Sequence, residues 1–547
     1  MHRSIDSSWQ EQIELAQVPK GYWPGVYILG THAARITFAD QQKRALNLLS
    51  ALVASGRLRP SDELGIIGAG IAGVTAAAYA ARLRLVPTVM EQHDEPMMIQ
   101  HGSGRWIHPN LYDWPRPNWK GESTAFPCMN WRANSAGVIV AQLRHEWSRL
   151  VADGLVRWCG ATRFHSLRRE DEFWSATDEK GREYGRWKAV VLAVGFGEEQ
   201  QYSNIDQKSY WRDDDLHQRI RSGGRVLVSG CGDGGLIDAI RCLFLDFRHE
   251  EIASVATIAD ATGVSEQLIE IEADRPRYPD GVRLTDAYLQ VKAPEVDDLL
   301  MGRIKKNMSV VLNGRGDAPF SRTSSPLNRF LVARLMQMGK ITYLRGSLDG
   351  LSSVAKVGGV FPVHIDGAPH SFEHIVVRHG PREPPIDVIH EIGNSLGVAK
   401  QFLAAYPFVV DRTRQPVWEK MPLPGNMPMS SGALSRSASP DPRVIDSIAE
   451  HIHGNLRSHF MELRGAVLIR RELDGDAIIL HAETYEGALG AVRLCVRGNA
   501  AVDVRVERAD GREVLKESIA PKAGVADMDG VSSALRNAAF LLVGRVE

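Results

Sequence analysis

Two short runs in this chain set glycines where a nucleotide phosphate could approach bare backbone: Gly68-Ala69-Gly70-Ile71-Ala72-Gly73, and Gly230-Cys231-Gly232-Asp233-Gly234-Gly235. In the first, Gly68 permits a tight turn, Gly70 admits a pyrophosphate to the backbone and Gly73 lets a helix meet a strand, with the helix amino terminus facing the phosphates. Glu91 lies near the expected distance downstream, where its carboxylate would accept hydrogen bonds from ribose hydroxyls. In the second run Gly230, Gly232 and Gly235 take the same three roles and Asp233 stands at the helix entrance. That run leaves three readings open: a nicotinamide nucleotide, another adenine ligand such as the one held by the G-x-G-x-G loop of class I methyltransferases, or a turn with a purely structural role.

A third constellation is Gly102-Ser103-Gly104-Arg105-Trp106-Ile107-His108-Pro109-Asn110-Leu111-Tyr112-Asp113-Trp114-Pro115. Arg105 could pair with phosphate, while His108, Tyr112 and Asp113, with Asn110 beside them, could supply hydrogen bonds or a proton as catalytic groups. A turn cap or a satisfied core polar group is the competing role for each. Arg378-His379-Gly380-Pro381 follows an apolar strand, at the end where open α/β sheets take ligands. Asp213-Asp214-Asp215 reads as a solvated face or a helix cap, because adjacent carboxylates in an extended run point different ways. No metal site is expected. The five cysteines are scattered without a C-x-x-C pair, which disfavours a redox dithiol or half a zinc site.

The elements that must position these residues follow from periodicity. An apolar strand at Gly65–Ile67, the glycine turn, a small-residue helix from Gly73 to Arg84 and a strand at Thr88–Glu91 make the start of a βαβ unit. A helix from Ser135 to Ala152, strands to Thr177 and the apolar strand Ala189–Val194 complete a first half. The second half opens at Arg225, continues through a helix from Asn328 to Met338 and a strand at Lys340–Leu344, and ends in the apolar strand His374–Arg378. Its own second strand is sought at Ala253–Ala259, leading to Asp260, with Ser265 to Thr323 read as an insertion.

The expected fold is α/β: a Rossmann-type dinucleotide-binding domain, a second Rossmann-like domain and a smaller α+β carboxy-terminal domain. The boundaries are 1–60 for a lead-in, 61–224 for the first domain, 225–382 for the second with its insertion at 265–323, and 383–422 for a return to the first. A Pro/Gly/Ser-rich linker covers 423–442 and the carboxy-terminal domain 443–547.

The 547 residues are 44 % apolar and 24 % charged with a net charge of −1. This is the composition of a soluble globular chain, without global attraction to nucleic acid or anionic lipid. The polar start Met1–Asp6 lacks an apolar targeting segment, so a cytoplasmic location is expected.

The run Leu64-Gly65-Ile66-Ile67-Gly68-Ala69-Gly70-Ile71-Ala72-Gly73-Val74-Thr75-Ala76-Ala77 resembles the FAD fingerprint of the FAD/NAD(P)-binding oxidoreductase superfamily. Val191-Leu192-Ala193-Val194-Gly195-Phe196-Gly197 is similar to its second glycine-ended strand. Over residues 60 to 382 the two-dinucleotide layout is most similar to flavin monooxygenases and pyridine-nucleotide-dependent reductases. The resemblance implies FAD at the first loop, with Gly195 beside it, and NAD(P)H at the second.

Two departures stand out. The Gly-Asp motif that contacts the ribityl phosphate in many such families is missing between Arg382 and Met429, and the histidine-containing signature of flavin-containing monooxygenases is absent in its usual form. The function expected is an FAD-dependent oxidoreductase in which a reduced nicotinamide delivers hydride to the flavin, which then reduces a small-molecule substrate or oxygen. The alternative is a regulatory or sensory flavoprotein acting on a protein partner, or as a homo-oligomer, through its carboxy-terminal domain.

Overall fold

The computed structural model describes residues 7–17, 23–29, 37–195, 199, 202, 204–205, 207–213, 215–220, 223–245, 247, 249–274, 277–278, 281–320 and 324–380. It also describes the strand segments 468–474, 477–484, 487–496, 502–508 and 513–519. The chain divides into two units, Met1–Gly425 and Asn426–Glu547. The expected return segment at 383–422 and the linker at 423–442 lie outside the described residues.

The first unit opens with α1 (Ser7–Ala16), β1 (Val26–Ile28) and α2 (Phe38–Ala54), followed by β2 (Glu63–Ile67), α3 (Ile71–Arg82) and β3 (Val86–Met90). A short ribbon of β4 (Trp106–Ile107) and β5 (Asn134–Ser135) flanks the aromatic segment. Next come α4 (Ala136–Ala152), β6 (Arg157–Cys159), the meander β7 (Phe164–Glu170), β8 (Phe173–Asp178) and β9 (Glu183–Trp187), and then β10 (Ala189–Leu192).

The second half comprises α5 (Leu216–Arg219), β11 (Gly224–Ser229), α6 (Asp233–Leu243), α7 (His249–Ala261), α8 (Val264–Ala273), α9 (Gly281–Gln290), α10 (Pro294–Met301) and β12 (Met308–Gly314). It closes with α11 (Pro326–Gln337), β13 (Ile341–Arg345), the antiparallel strands β14 (Leu348–Asp349), β15 (Phe361–Ile365) and β16 (Ala368–Phe372), and β17 (His374–Val377).

Two parallel sheets result. The first has the order β1-β10-β2-β3-β6 and the second β13-β12-β11-β17. Apart from the partly exposed edge strands β6 and β13, their strands are buried largely on both faces, which is why strands such as β2, β10 and β12 read as apolar runs. Register aligns Ile28, Leu192, Ile67, Met90 and Cys159 in one row across the first sheet. Beyond that row lie Leu29, Ala193, Gly68 and Glu91. In α3, Ala76, Ala77 and Ala80 are fully buried, and their small side chains let the helix lie close on the sheet. Gly65 does similar work on the opposite face, because a Cβ there would stand 2.2 Å from the ring of the fully buried Trp187.

Three expectations are corrected. Residues 1–60 are no separate lead-in, because β1 pairs in parallel with β10 at the edge of the first sheet and α2 packs against α3. The segment Ala253–Ala259 is part of helix α7 rather than a strand. Ile252, Val255, Ala256 and Ala259 are buried at helical spacing, and that period outweighs the strand propensity of Val255 and Ile258. The second strand of the second sheet is instead β12, inside the stretch read as an insertion; the inserted helices α7 to α10 delay it.

The second unit contains an antiparallel sheet of β18 (Leu468–Asp474), β19 (Ala477–Thr484), β20 (Gly487–Val496), β21 (Val502–Arg508) and β22 (Glu513–Ile519), ordered as in sequence. The helical part of the α+β domain expected at 443–547 falls outside the described residues. Among the described residues, no helix is long and apolar enough to cross a membrane, and no cluster of His, Cys, Asp or Glu could hold a metal ion.

Candidate functional site

The two glycine loops have the same geometry. Gly68 takes φ +96°, and a Cβ on it would lie 2.5 Å from Ala193 O at the end of the neighbouring strand. Gly230 takes φ +126°, and its Cβ would lie 2.2 Å from Arg378 O. Gly73 and Gly235 sit so close to the turn that a Cβ would stand 1.9 Å from Gly68 O and 1.8 Å from Gly230 O respectively. Between them, Gly70 and Gly232 face open space, with nothing within 4 Å of an added Cβ. Each is the N-cap of its helix and has no side-chain cap, so the first N–H groups of α3 and α6 remain available to an anion.

Around the first loop, Glu91 Oε2 accepts from Ala69 N at 2.7 Å and Oε1 from His93 N at 3.0 Å, which fixes the carboxylate beside the loop. A Cβ on Gly195, at φ +74°, would meet nothing within 4 Å, so the far side of the turn is open too. An open cradle with a carboxylate held at its rim fits an adenosine diphosphate group, the half that FAD shares with the nicotinamide nucleotides.

At the second loop, Asp233 Oδ1 accepts from Ser325 N and Asn328 Nδ2, both at 2.8 Å, so this carboxylate ties α6 to the start of α11. β12 ends in Asn313-Gly314 and Arg315 follows it, so none of the three residues at the end of this strand is acidic. Asn313 is buried: its Nδ2 donates to Leu344 O and Gly346 O, and its Oδ1 accepts from Ser229 Oγ at 2.7 Å. His379 Nε2 lies 2.7 Å from the same hydroxyl. Burial, with Arg315 nearby, lowers the pKa of this imidazole. Burial pushes the Cys231 thiol up to about 12, so it is no ready nucleophile.

The segment from Gly102 to Trp131 proves to be the clasp between the two halves. Trp114 Nε1 and Trp119 Nε1 each donate to one oxygen of Asp260 at 2.9 Å, at the end of α7, and Ser265 Oγ donates to the same carboxylate. Arg105 is 2 % exposed, its guanidinium 3.6 Å from the centre of the Tyr210 ring. Its Nη2 donates to Asp238 on α6 at 3.1 Å and to Asp213 O at 3.3 Å, whereas Nε and Nη1 meet no acceptor among the described residues.

Asp238 is fully buried and also accepts from Arg241 Nη1 at 3.0 Å and Arg378 Nε at 2.6 Å. Burial alone would raise its pKa, but Arg105, Arg378 and Arg241 hold it well below the usual carboxylate range. Asp213, the first of the three adjacent aspartates, pairs with Arg378 and Arg219, each at 2.5 Å.

Two of the candidate catalytic residues, His108 and Asp113, have side-chain partners of their own. His108 is buried, and its Nδ1 accepts from Asn110 N at 3.1 Å and Leu111 N at 2.9 Å, capping the short turn that follows. Burial takes its pKa down to about 4, so the ring is neutral at pH 7 with its proton on Nε2. Burial, with Tyr210 and Asp233 close, raises the Tyr112 phenol well above its ordinary value. Asp113 lies 3.8 Å from Lys43 on α2. The sequence reading missed Asp238, although a carboxylate within Leu236-Ile237-Asp238-Ala239-Ile240 was itself a signal, since buried charge requires a partner.

The family model described as "FAD dependent oxidoreductase" matches residues 63–201. No functionally curated protein matches the chain. Among solved structures, thioredoxin reductase from T. acidophilum is similar at 11 % identity and a TM-score of 0.31, over 59 % of this chain and 78 % of that one. Flavin-containing monooxygenase from Stenotrophomonas maltophilia is similar at 13 % identity and a TM-score of 0.31, over 60 % and 81 %. Bacillithiol disulfide reductase from Bacillus cereus gives 13 % identity and a TM-score of 0.34, over 61 % and 82 %. Likeness at these scores leaves the functional argument with the residues themselves. The first glycine cradle, Gly68 to Gly73, and Glu91 lie within residues 63–201, the stretch that is similar to the FAD-dependent oxidoreductase family.

Proposed function

We propose that this protein is an FAD-dependent oxidoreductase whose second glycine loop takes a reduced nicotinamide nucleotide, NADPH in preference to NADH. The observation that carries the reading is the duplicated cradle: a positive-φ glycine packed against the end of the neighbouring strand, an open N-cap glycine and a close-packed third glycine, repeated in Gly230, Gly232 and Gly235. Bound FAD would supply two-electron chemistry, accepting hydride from the nicotinamide and passing the electrons to a small-molecule substrate or oxygen. The chain's own part is to hold and orient. Gly68 to Gly73 and Glu91 hold the adenosine diphosphate half of FAD, and Gly230 to Gly235, with Asp233 anchoring the helix, hold the second pyrophosphate.

The preference for NADPH rests on the end of β12. A ribose-binding carboxylate would stand there in a site for NADH, whereas an arginine suits a 2′-phosphate; this chain has Asn313, Gly314 and the exposed Arg315. Arg105, whose buried Nε and Nη1 meet no acceptor among the described residues, suits an anionic group close to the clasp. His108, neutral and capping a turn, is a positioning residue in this reading.

Anaerobic mixing with NADPH or NADH, followed by flavin absorbance, tests the proposal. NADPH should bleach the flavin at lower concentration than NADH, and Arg315→Ala should narrow the gap. Absence of bleaching by either nucleotide overturns the reading and favours a regulatory flavoprotein.

A further inference from the structure

The first loop and Glu91 account for only half of the cofactor, and the sheet order indicates where the other half must go. Glu91 follows β3, on one side of β2, so a dinucleotide with its pyrophosphate at Gly70 and its adenosine ribose at Glu91 runs toward β3. Its flavin half must therefore leave across the opposite neighbours, β10 and β1. The carboxyl end of β1 lies in the same row as the start of the glycine turn, and Leu29 N donates to Leu192 O at 2.9 Å.

Helix α2, which follows β1, packs against α3, and Ser50 Oγ lies 3.0 Å from Tyr79 Oη. Both helices descend from the same edge of a parallel sheet. Gln41 is as many residues above Ser50 as Gly70 is above Tyr79, so at about 1.5 Å per residue the two are level to within about one turn. The first turn of α2 is capped by Thr37 Oγ1, which accepts from Asp40 N at 3.1 Å, and Lys43 reaches Asp113 of the clasp. Gln41 is 6 % exposed, and its Oε1 meets no donor among the described residues. Side chains lean toward a helix's amino terminus, which in α2 is the end that follows β1, so Gln41 leans toward the carboxyl ends of the strands rather than away from them, on the side of α2 opposite Ser50.

We infer that the amino-terminal β1–α2 unit completes the FAD site, with Gln41 Oε1 accepting a hydrogen bond from an O–H or N–H group of the flavin half. The assignment rests on FAD lying at the first glycine loop. The same unit answers the missing Gly-Asp motif: the strand beside β10 comes from the start of the chain.

The test is titration calorimetry on the full-length chain stripped of flavin, with FAD and ADP as separate probes. Gln41→Leu should weaken FAD about three- to tenfold, the loss of one hydrogen bond, and leave ADP unchanged. Gln41→Glu, which keeps an acceptor, should retain most of the FAD affinity, and circular dichroism checks that both variants fold. FAD affinity unchanged in Gln41→Leu, or ADP weakened as much as FAD, overturns the inference. Should Gln41→Leu not fold, Gln41→Glu decides: near-parental FAD affinity supports the inference, and a tenfold loss overturns it. A parent chain that binds neither probe overturns the placement of FAD itself, which is a different failure.

Discussion

Arg105 Nη2 lies 3.1 Å from Asp238 Oδ1, a pair in which the arginine comes from the segment after β3 and the aspartate from the helix that opens at the second glycine loop. It ties one dinucleotide fold to the other where both side chains are almost wholly removed from water. Removing the carboxylate would leave Arg105, Arg241 and Arg378 with Asp213 as the one remaining buried carboxylate among them, already paired with Arg378 and Arg219. Asp238→Asn should therefore destabilise the protein by about 3 to 5 kcal/mol. A melting temperature within a degree of the parent would contradict the cluster's structural role.

Gly70→Val separates cofactor binding from folding. The native backbone at Gly70 has φ −66° and ψ −179°, which any residue adopts, and a Cβ there meets nothing within 4 Å. The variant should fold like the parent and lose its flavin, because the new methyl groups fill the space where pyrophosphate meets backbone. Gly73→Ala should behave in the opposite way, impairing the fold itself, since its Cβ would collide with Gly68 O. Flavin content by absorbance and folding by circular dichroism distinguish the two, and a yellow Gly70→Val protein would falsify the phosphate assignment.

The contrast between the loops and their surroundings shows what was legible in the sequence. Three glycine roles at fixed spacing are set by local backbone geometry, so both loops and the helices after them were readable from residue order. Partners were not. Arg105 meets Asp238, and Trp114 and Trp119 meet Asp260, across more than a hundred residues, and nothing in a residue's own neighbourhood encodes such a distant pairing. β1 is only three residues long, too short for its alternation to announce a sheet edge. β12 was hidden because the inserted helices put Asn313 84 residues from Ser229, and with it went Arg315, the residue that bears on nucleotide choice.

His108 gives a pH signature. Its folded pKa, about 4, lies below the ordinary value of 6.5, so the unfolded chain takes the proton more readily. The contribution of this neutral ring to stability is complete above about pH 6.5 and is lost as the pH falls through about 4, amounting to about 3 kcal/mol. His108→Asn can still accept from Asn110 N and Leu111 N but does not titrate. Thermal melts between pH 7.5 and 4.5 should fall more steeply for the parent than for the variant, and parallel curves would remove the argument.

Gly232→Val tests the second loop in the same terms as the first. Gly232 has φ −79° and ψ 175° with open space beyond its Cα, so valine should be accommodated by the fold. The FAD cradle belongs to the other sheet, and flavin content should therefore stay at the parental level. What should change is access of a pyrophosphate to the N–H groups at the start of α6. Each such hydrogen bond contributes roughly 0.5 to 1.5 kcal/mol net, and more when the acceptor is charged, so losing the approach should weaken the nucleotide at least about tenfold. In anaerobic stopped flow the concentration of NADPH giving half-maximal flavin reduction should rise by that factor. The limiting rate at saturation should change less, because the valine lies at the pyrophosphate and not at the reacting ring. An unchanged half-saturation value in a protein that still reduces its flavin would mean that the nicotinamide nucleotide binds elsewhere, leaving the duplicated cradle a structural turn.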